Sequence, residues 1–418
     1  MIGCRLNQSE IEILARQFSA AGYSLVSDPS EADLAVVNTC TVTSAAAADS
    51  RKTIRRIARS GVKNIISTGC WSELQPDQAM ALPGVTRVVS NAEKAHLVSD
   101  LLSLDPVEID KEPLQRVTIP GSRQRTRAFI KAQDGCRHHC TFCITTVARG
   151  NSRSESVDNV LNEINAAVQA GIKEVVLTGV QLGSWGNEFN PALSLQDLVH
   201  QVLKGTDIPR LRLSSIEPWD VDPELIELLQ DERIARHLHL PLQSGSALTL
   251  RRMARAINPD GFAQLVADIR SVEPEIALTS DILVGFPGET EAEFKKSYDF
   301  IRAMDFASGH VFSYSAREGT PAVDFPDQVP HPIRKKRSAK VRDLLNESGE
   351  NYRRQFLGKE LMVLWEQVDQ KTHKAIGLTD NYLRVETIAS HKVWNTFSRV
   401  KIEGLTQDGV LGEILDNE

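Results

Sequence analysis

The pattern of apolar and polar positions changes its period twice along the chain. In residues 1–100, apolar residues recur at helical spacing from Asn7 to Ala21 and from Ala45 to Arg59. Three short apolar runs predict strands between and after these stretches: Asp33 to Val37, Lys63 to Ser67 and Thr86 to Val89. This alternation of helices and strands predicts a small α/β domain with a parallel sheet.

Residues 101–121 contain Pro106, Pro113 and Pro120 and are predicted to form a linker. Residues 122–350 then contain six strand candidates separated by helical stretches: Arg127–Ala132, Glu174–Leu177, Leu211–Ser215, His237–Leu240, Ile276–Leu283 and Gly309–Tyr314. The repeated strand–helix unit predicts a parallel sheet that wraps into a partial barrel of six units. Active sites on such sheets lie at the carboxyl ends of the strands.

A third pattern begins after a basic amphipathic helix from Pro332 to Gly349. Residues 351–418 contain four short strand candidates: Leu361–Trp365, Tyr382–Val385, Arg399–Ile402 and Val410–Ile414. Their spacing predicts a small OB-like β-barrel, a fold that often binds nucleic acid. A purely structural cap is the alternative.

Composition narrows the class of protein. The formal net charge of -7 argues against a generic nucleic-acid binder. No apolar run approaches the roughly 20 residues that span a bilayer, so no membrane association is expected. The first residues contain no apolar core of a secretory signal. Clustered cysteines without such a signal indicate a reducing compartment, so we expect a cytoplasmic protein.

The distribution of charge is more informative than its sum. Basic residues dominate the strip from Arg116 to Arg153, in which Asp134 is the only acid, and a second basic run extends from Arg334 to Arg337. Such runs are either solvated faces or phosphate-facing patches on an acidic protein. The basic members of the strip are Arg116, Arg123, Arg125, Arg127, Lys131, Arg137, Arg149 and Arg153.

Three of the six cysteines, Cys136, Cys140 and Cys143, form a C-x3-C-x2-C sequence. Three thiolates at this spacing can hold three irons of a four-iron cluster and leave the fourth iron open for a ligand. The sequence follows the first strand of the predicted partial barrel, which places it at the carboxyl ends of the strands. A Cys3His zinc site that uses His138 or His139 is the alternative.

The other three cysteines are Cys4, Cys40 and Cys70. Cys40 and Cys70 each follow a predicted parallel strand, and such strand ends meet at one edge of a sheet. We therefore expect these three thiols to form a second metal site, although three unrelated buried cysteines are the alternative. Only three residues precede Cys4, too few for a strand, so we expect either a missing strand or a native start upstream of Met1.

Motifs in all three segments resemble the radical S-adenosylmethionine (SAM) methylthiotransferase family. They are Gly3-Cys4-Arg5-Leu6-Asn7-Gln8-Ser9-Glu10, Asn38-Thr39-Cys40, Thr68-Gly69-Cys70, Asp134 to Cys143, Ala148 to Ser154, Leu213 to Pro218, His239 to Gly245 and Asp281 to Glu289. The resemblance spans essentially the whole chain. It implies a flavodoxin-like α/β domain, a (βα)6 partial TIM barrel of radical SAM type and a C-terminal TRAM barrel.

The resemblance also implies two 4Fe-4S clusters and SAM as cofactors. One SAM would methylate a sulfur at the Cys4, Cys40 and Cys70 cluster. A second SAM would be cleaved at the other cluster to a radical that removes hydrogen from adenine C2, a C–H bond without useful acidity. Contacts to SAM or substrate are expected from Gly179, Ser214, Glu217, Gln243 and Asp281. A structural role, such as a turn glycine or a carboxylate that fixes a loop, is the alternative for each.

The stretches Gly3 to Glu10 and Ala148 to Ser154 look most like the branch that acts on threonylcarbamoyladenosine in tRNA. We therefore expect tRNA as a partner, held by Arg149 and Arg153. The electron donor would be a reductase, a flavodoxin or a ferredoxin, and the enzyme a monomer or weak dimer. Alternative substrates are isopentenyladenosine tRNA or a ribosomal protein aspartate; a non-catalytic iron–sulfur or zinc tRNA-binding protein is a further alternative. The family usually has a proline between the last cluster cysteine and Ala148, where this chain has Ile144 to Val147.

Overall fold

The computed structural model describes residues 3–102 and 126–417. The predicted linker lies almost entirely outside these residues, as do Arg116, Arg123 and Arg125 of the basic strip. Within the described residues, no helix combines the length and the apolar character that crossing a membrane requires.

The N-terminal region is a three-stranded parallel sheet flanked by helices, as predicted. Its strands, in spatial order, are β1 (Ala35–Thr39), β2 (Ile65–Gly69) and β3 (Val85–Val88). Its helices are α1 (Arg5–Ala20), α2 (Ser44–Arg59), α3 (Cys70–Leu74), α4 (Pro76–Met80) and α5 (Leu97–Leu102). Cys4 is the N-cap residue of α1, and Cys70 is the first residue of α3. Two of the three cysteines therefore lie where a helix begins.

The central region is the predicted arc of six parallel strands: β4 (Arg127–Lys131), β7 (Glu174–Thr178), β8 (Arg210–Leu213), β9 (His237–His239), β10 (Ala277–Val284) and β11 (Ser308–Ser313). Two three-stranded sheets, β4-β7-β8 and β9-β10-β11, are joined by bridges from Leu211 to Ile234 and from Ser215 to His239. No strand of the described residues pairs β4 with β11, so the barrel is open on that side.

Six helices cover the outer face of this arc: α7 (Val157–Gln169), α8 (Leu195–Gly205), α9 (Pro223–Leu228), α11 (Pro259–Val272), α12 (Glu291–Met304) and α13 (His331–Arg354). A short antiparallel pair, β5 (Gln133–Asp134) with β6 (Arg153–Ser154), brackets the cysteine loop. Two short helices, α6 (Thr145–Arg149) and α10 (Ala247–Arg252), lie in the connections after β5 and β9. Strand β7 is buried along its whole length, as expected for a parallel strand covered on both faces. The main apolar core lies between the strands and the six covering helices.

The C-terminal region is a closed β-barrel with strand order β12-β13-β14-β16-β15. The strands are β12 (Glu360–Val368), β13 (Lys374–Thr379), β14 (Arg384–Ile388), β15 (Phe397–Leu405) and β16 (Val410–Asn417). The sequence pattern predicted four of these strands and missed β13. Gly377 interrupts its apolar run, and a glycine in a strand weakens the pattern that identifies it.

The barrel packs against the amino-terminal ends of the central strands. Arg212 on β8 donates to Glu174 on β7 at 2.8 Å and to the carbonyl oxygen of Thr379 in the barrel at 3.1 Å. Arg127 on β4 pairs with Glu366 of β12. Burial alone would raise the pKa of Glu174, but Arg212 and its neighbours lower that pKa to about 2. The opposite, carboxyl-terminal ends of the strands remain available to the cysteine loop.

Candidate active site

The cysteine loop after β5 is shaped by its own backbone. Gly135 has a φ of 71°, and a Cβ atom there would lie 2.0 Å from the carbonyl oxygen of Asn151, so only glycine fits. The Cys136 amide donates to Gly150 at 3.0 Å, and the Cys143 amide donates to Cys140 at 3.0 Å. These contacts curl the backbone between Cys136 and Cys143, so that the charges of Cys140 and Cys143 act on Cys136.

Polar groups already surround the three sulfurs. The Cys136 thiol donates to Oε1 of Gln181 at 3.2 Å, and the His138 amide donates to the Cys136 sulfur at 3.3 Å. Arg255 lies 4.0 Å from the Cys140 sulfur. Burial, together with the charges of the neighbouring thiols, raises the pKa of Cys136 to about 11. Burial and this repulsion favour the protonated thiol of Cys136, whereas a bound cation would stabilise its thiolate.

The N-terminal cysteines converge as the parallel sheet predicts. Thr39 and Gly69 are partners in the β1–β2 register, so Cys40 and Cys70, one residue later, leave the sheet side by side. A Cβ atom on Gly3 would lie 3.0 Å from Cβ of Cys40, which shows how closely the chain before Cys4 approaches that cysteine. Burial raises the pKa of both Cys40 and Cys70, and the charge of Cys4 adds to this effect.

A buried ionic network joins the two cysteine regions. Glu10 on α1 receives hydrogen bonds from Lys94 at 2.8 Å and from Arg149 on α6 at 2.9 Å. Arg149 also donates to Asp134, two residues before Cys136, at 2.9 Å. Burial alone would raise the pKa of Glu10, but Lys94 and Arg149 hold it well below its usual range. The network fixes the N-terminal domain against the cysteine loop.

The prediction that Arg149 contacts tRNA is wrong, because its side chain is 1% exposed and paired with Glu10 and Asp134. Arg127 and Lys131 of the same strip also pair with carboxylates. Arg153 is different: half of its side chain is exposed, and it lies 3.6 Å from Asp134. The second basic run is also partly internal, since Arg337 is buried against Glu289.

Three of the expected SAM contacts lie in loops beside the cysteine loop. Gly179 follows β7 and packs against Gln133. Ser214 follows β8, and its hydroxyl is buried without a hydrogen-bond partner among the described residues. Glu217 receives a hydrogen bond from Arg255 at 2.6 Å. An unpartnered buried hydroxyl is costly unless a ligand completes it, so this corner fits a polar small molecule.

The other two expected contacts lie nearer to β11: Gln243 lies beyond the end of β9, and Asp281 lies on β10. Gln243 has a φ of 69°, and its amide donates to the Asp281 carbonyl at 2.8 Å. The Asp281 carboxylate lies 3.3 Å from Nε2 of His239 and 3.1 Å from Nδ1 of His310. Burial alone would raise the pKa of Asp281, but both histidines hold it below its usual range. No described contact joins this group to the cysteine loop.

Sequence reasoning missed Arg255, Gln181 and Trp219, which surround the cysteines. The Arg255 guanidinium lies over the Trp219 ring, 4.5 Å from its centroid, and the Trp219 indole donates to His138 at 3.1 Å. Gln181 lies in a loop that follows a predicted strand, and a polar residue in such a loop is a usable signal. Arg255 follows a helix instead, and its position in the sequence gives no such signal.

The zinc alternative for the cysteine loop does not fit. Ring nitrogen Nε2 of His138 already accepts the Trp219 hydrogen bond. Among the described residues, one group of three metal-binding side chains has ligand atoms within 4.8 Å of one another, and it is His239, Asp281 and His310. The three sulfurs of the loop therefore do not all lie within 4.8 Å of one another, whereas the ligands of tetrahedral zinc are roughly 3.8 Å apart. All six cysteines are free of disulfides.

Comparison with known proteins agrees with this geometry. Residues 130–301 match the radical SAM superfamily, and residues 1–90 match the uncharacterized protein family UPF0004. The threonylcarbamoyladenosine tRNA methylthiotransferase MtaB of Bacillus subtilis (strain 168) is 35% identical over 421 residues, covering 96% of this chain and 92% of that protein. The chain belongs to the radical SAM methylthiotransferase family.

Two further similarities extend the assignment. The tRNA-2-methylthio-N(6)-dimethylallyladenosine synthase of Ehrlichia canis (strain Jake) is 28% identical to this methylthiotransferase, covering 99% of this chain and 98% of that protein. The radical SAM methyltransferase TsrM of Kitasatospora setae, solved with tryptophan substrate and a SAM analog, superposes with a TM-score of 0.54 at 17% identity. It covers 74% of this chain and 66% of that chain and supports the fold alone.

The cofactors of this methylthiotransferase are SAM and 4Fe-4S clusters, and its side chains fit them. Cys136, Cys140 and Cys143 would hold the cluster that binds SAM, because they offer three thiols and no fourth protein ligand within the described residues. Cys4, Cys40 and Cys70 would hold the second cluster. Ser214 and Glu217 are beside the first set, where the polar groups of SAM would need partners.

Proposed function

We propose that this methylthiotransferase converts N6-threonylcarbamoyladenosine, next to the anticodon of a tRNA, to its 2-methylthio derivative. The observation that carries the proposal is the pair of cysteine sets fixed to each other through Glu10, Arg149 and Asp134. Relatives whose names state this substrate support the choice of nucleoside, at 32–35% identity against 27–31% for relatives named for dimethylallyladenosine. A non-catalytic role would not need two three-cysteine sets joined by a buried ionic network.

The protein's own contribution is to bind, orient and shield. A cluster held by Cys136, Cys140 and Cys143 would supply the one-electron chemistry that activation of an aromatic C–H through SAM requires. Gln181 and Arg255 orient the sulfurs of Cys136 and Cys140. Phe142 and Phe286 pack edge to face with their ring centroids 6.5 Å apart, which helps to keep water from that side of the loop. Glu10 and Arg149 keep the sulfur-donating domain at a fixed position.

We further propose that the basic face of α2, rather than the buried Arg149, binds the phosphates of tRNA. Its exposed basic residues have no carboxylate partner among the described residues, and they are Lys52, Arg55, Arg56 and Arg59. Ser44 at the start of this helix bonds Ser315, which follows β11 on the open side of the barrel. The helix therefore begins beside the open side of the barrel, and its exposed basic face carries the positive charge that a phosphate-binding surface requires. Arg153 and the C-terminal barrel would add contacts.

The test is an anaerobic assay of the reconstituted protein with SAM, a reductant and tRNA that carries threonylcarbamoyladenosine but lacks the methylthio group. We expect the 2-methylthio nucleoside by mass spectrometry after digestion. Isopentenyladenosine tRNA and the ribosomal protein aspartate are the parallel substrates. Product from either of those and none from the first would refute the nucleoside assignment and leave the family unchanged. A flavodoxin, a ferredoxin and a reductase are compared as electron donors in the same assay.

A further inference from the structure

The open side of the central barrel is occupied by the first turn of α1. Arg5 follows Cys4 and extends from this turn toward the interior of the arc. Its guanidinium donates to the Tyr382 hydroxyl of the C-terminal barrel at 2.8 Å and lies 5.8 Å from the ring centroid of Phe129 on β4. Its charge also opposes protonation of His310 on β11. Arg5 thus spans the gap between the two edge strands.

Arg5 differs from the other enclosed arginines in lacking an acidic partner. Arg149 pairs with Glu10, Arg212 with Glu174 and Arg337 with Glu289. For Arg5, which is itself half-buried, no carboxylate of the described residues lies within ion-pairing distance, and the Tyr382 hydroxyl is a neutral acceptor. The Arg5 guanidinium is partly removed from water and donates to one neutral acceptor. Its remaining N–H donors lie in one plane, in the geometry that pairs with a carboxylate.

On the side of the arc opposite β4, the acid is already paired, so the Arg5 guanidinium stays available. Asp281 is the acid on that side, and its carboxylate is already engaged by His239 and His310. Thr279 bonds the other ring nitrogen of His239 at 3.0 Å and so holds Nε2 toward Asp281. The His310 side chain is exposed, and the charge of Arg5 acts on its ring. Because Asp281 is paired with two histidines, it would not compete with a bound anion for the Arg5 guanidinium.

We propose that Arg5, supported by Tyr382 and His310, binds the carboxylate of the adenine N6 substituent and selects substrates that carry it. This inference rests on the proposed function, because threonylcarbamoyl ends in a carboxylate and dimethylallyl carries no charge. A carboxylate on the Arg5 guanidinium places the adenine beside Cys4, where the N-terminal cluster would be. An apolar substituent in the same place would leave the Arg5 guanidinium without a counter-charge. Arg5 would therefore favour substrates that carry a carboxylate and disfavour substrates that lack one.

The experiment compares two anticodon stem-loops that differ in one group: N6-threonylcarbamoyladenosine and its primary amide, in which the carboxylate is neutral. We measure the dissociation constant of each by fluorescence anisotropy with the full-length protein. Wild type should prefer the carboxylate by about 10- to 100-fold, the value of a charge-assisted pair of hydrogen bonds. Arg5→Met should bind both equally, while Arg5→Lys should keep a reduced preference.

Controls separate recognition from folding. Arg51→Met removes a half-buried arginine of α2 that lies 5.7 Å from the Trp71 ring, and it should keep the wild-type preference. Tyr382→Phe is far from Cys4 along the chain and removes only the hydroxyl that orients Arg5. It should reduce the carboxylate preference by about threefold. Iron content is counted in every variant, because Arg5 is next to Cys4, and the anisotropy comparison is repeated on iron-free wild type and Arg5→Met.

The outcomes are distinguishable. Equal binding of both stem-loops by wild type, or an Arg5→Met preference like that of wild type, would overturn the carboxylate site even if threonylcarbamoyladenosine is methylthiolated. If wild type cleaves SAM but methylthiolates neither stem-loop, the proposed function fails, and the inference fails with it. A preference that disappears in Arg5→Met and survives in Arg51→Met supports the site.

Discussion

The two cysteine sets reach similar arrangements by different routes. Cys136, Cys140 and Cys143 lie within one loop of eight positions, shaped by local backbone contacts and by the φ of Gly135. Cys4, Cys40 and Cys70 come from a helix N-cap, a strand end and a helix start, and they meet only because β1 and β2 are neighbours. The first set is a property of a loop, and the second is a property of a folded domain.

The difference shows in what each set depends on. The backbone of the loop set is shaped by local hydrogen bonds such as Cys136 to Gly150, although its sulfurs also contact Gln181 and Arg255, which are 45 and 115 residues away. The domain set depends on pairs that are far apart in sequence, because Glu10 and Arg149 are 139 residues apart. Long-range contacts are made at a greater cost in chain entropy. We therefore expect the N-terminal set to be the first to fail when packing is disturbed.

The largest effect should come from single cysteine changes that separate the two sets. Cys140→Ala should abolish reductive SAM cleavage, because the cluster that binds SAM loses a ligand. Cys40→Ala should retain cleavage but give no methylthio product. Wild type should hold about eight irons and each variant about four. Cleavage is measured as 5′-deoxyadenosine and product by nucleoside mass spectrometry; wild-type product from Cys40→Ala would contradict the division of roles.

The next effect should come from removing the link between the sets. Arg149→Met leaves Glu10 and Asp134 buried with fewer partners, and loss of one partner of a buried pair costs about 3 kcal/mol. Thermal unfolding should shift to lower temperature, and product formation should fall more than SAM cleavage. Arg153→Met is the matched control, since its half-exposed side chain contributes under about 1 kcal/mol. Equal shifts in both variants would show that burial of Arg149 is not the cause.

Acid should separate the C-terminal barrel from the central strands. Glu174 has a pKa of about 2 in the fold against an ordinary value of 4.5, so its contribution to stability is complete above about pH 4.5. That contribution is lost as the pH falls from about 4.5 to about 2. Glu174→Gln should lower stability at neutral pH and flatten this acid dependence. The measurement is thermal unfolding as a function of pH, with exposed Glu360→Gln as the control.

The smallest effect should come from the basic face of α2. Changing Lys52, Arg55 and Arg56 together to Gln should weaken tRNA binding by about tenfold, and the salt slope should fall by about one for each phosphate that the helix no longer neutralises. SAM cleavage without tRNA should not change. The control changes Lys295, Lys296 and Arg302 on the distant face of α12, which are equally exposed. An unchanged salt slope in the α2 variant would remove this helix from the interface.

The periodicity predicted most of the architecture, because parallel strands buried on both faces are continuous apolar runs. Strand β7 was predicted within one residue, Glu174–Leu177 against Glu174–Thr178. The cysteine sets were also predictable, since strand ends in parallel sheets converge. Strand β13 was missed because Gly377 interrupts it. The convergence of Cys40 and Cys70 could be predicted only from the expected parallel order of their strands, because no fixed spacing in the sequence links the two residues.

The partners of charged residues could not be predicted. Arg149 stands in a basic strip that looks like a phosphate-binding surface, yet Glu10 lies far away in sequence and buries it. Charge along a chain indicates how much charge is present, whereas its role depends on which acid the fold brings near. The same limit hid Arg255, whose contact with Cys140 crosses 115 residues.

Tyr382 has a consequence for how such enzymes diverge. Its ring stacks on His237 of β9 at 4.2 Å, and its hydroxyl accepts from Arg5. The C-terminal module therefore supplies a residue that contacts both α1 and the central strands. Exchanging that module between relatives would replace the barrel and would also change the contacts of Tyr382 with Arg5 and His237. Recombination at this junction is therefore constrained even though the fold looks modular. A compatible exchange would have to include the residue that bonds Tyr382, which is Arg5 near the other end of the chain. The two ends of the chain would therefore be inherited together.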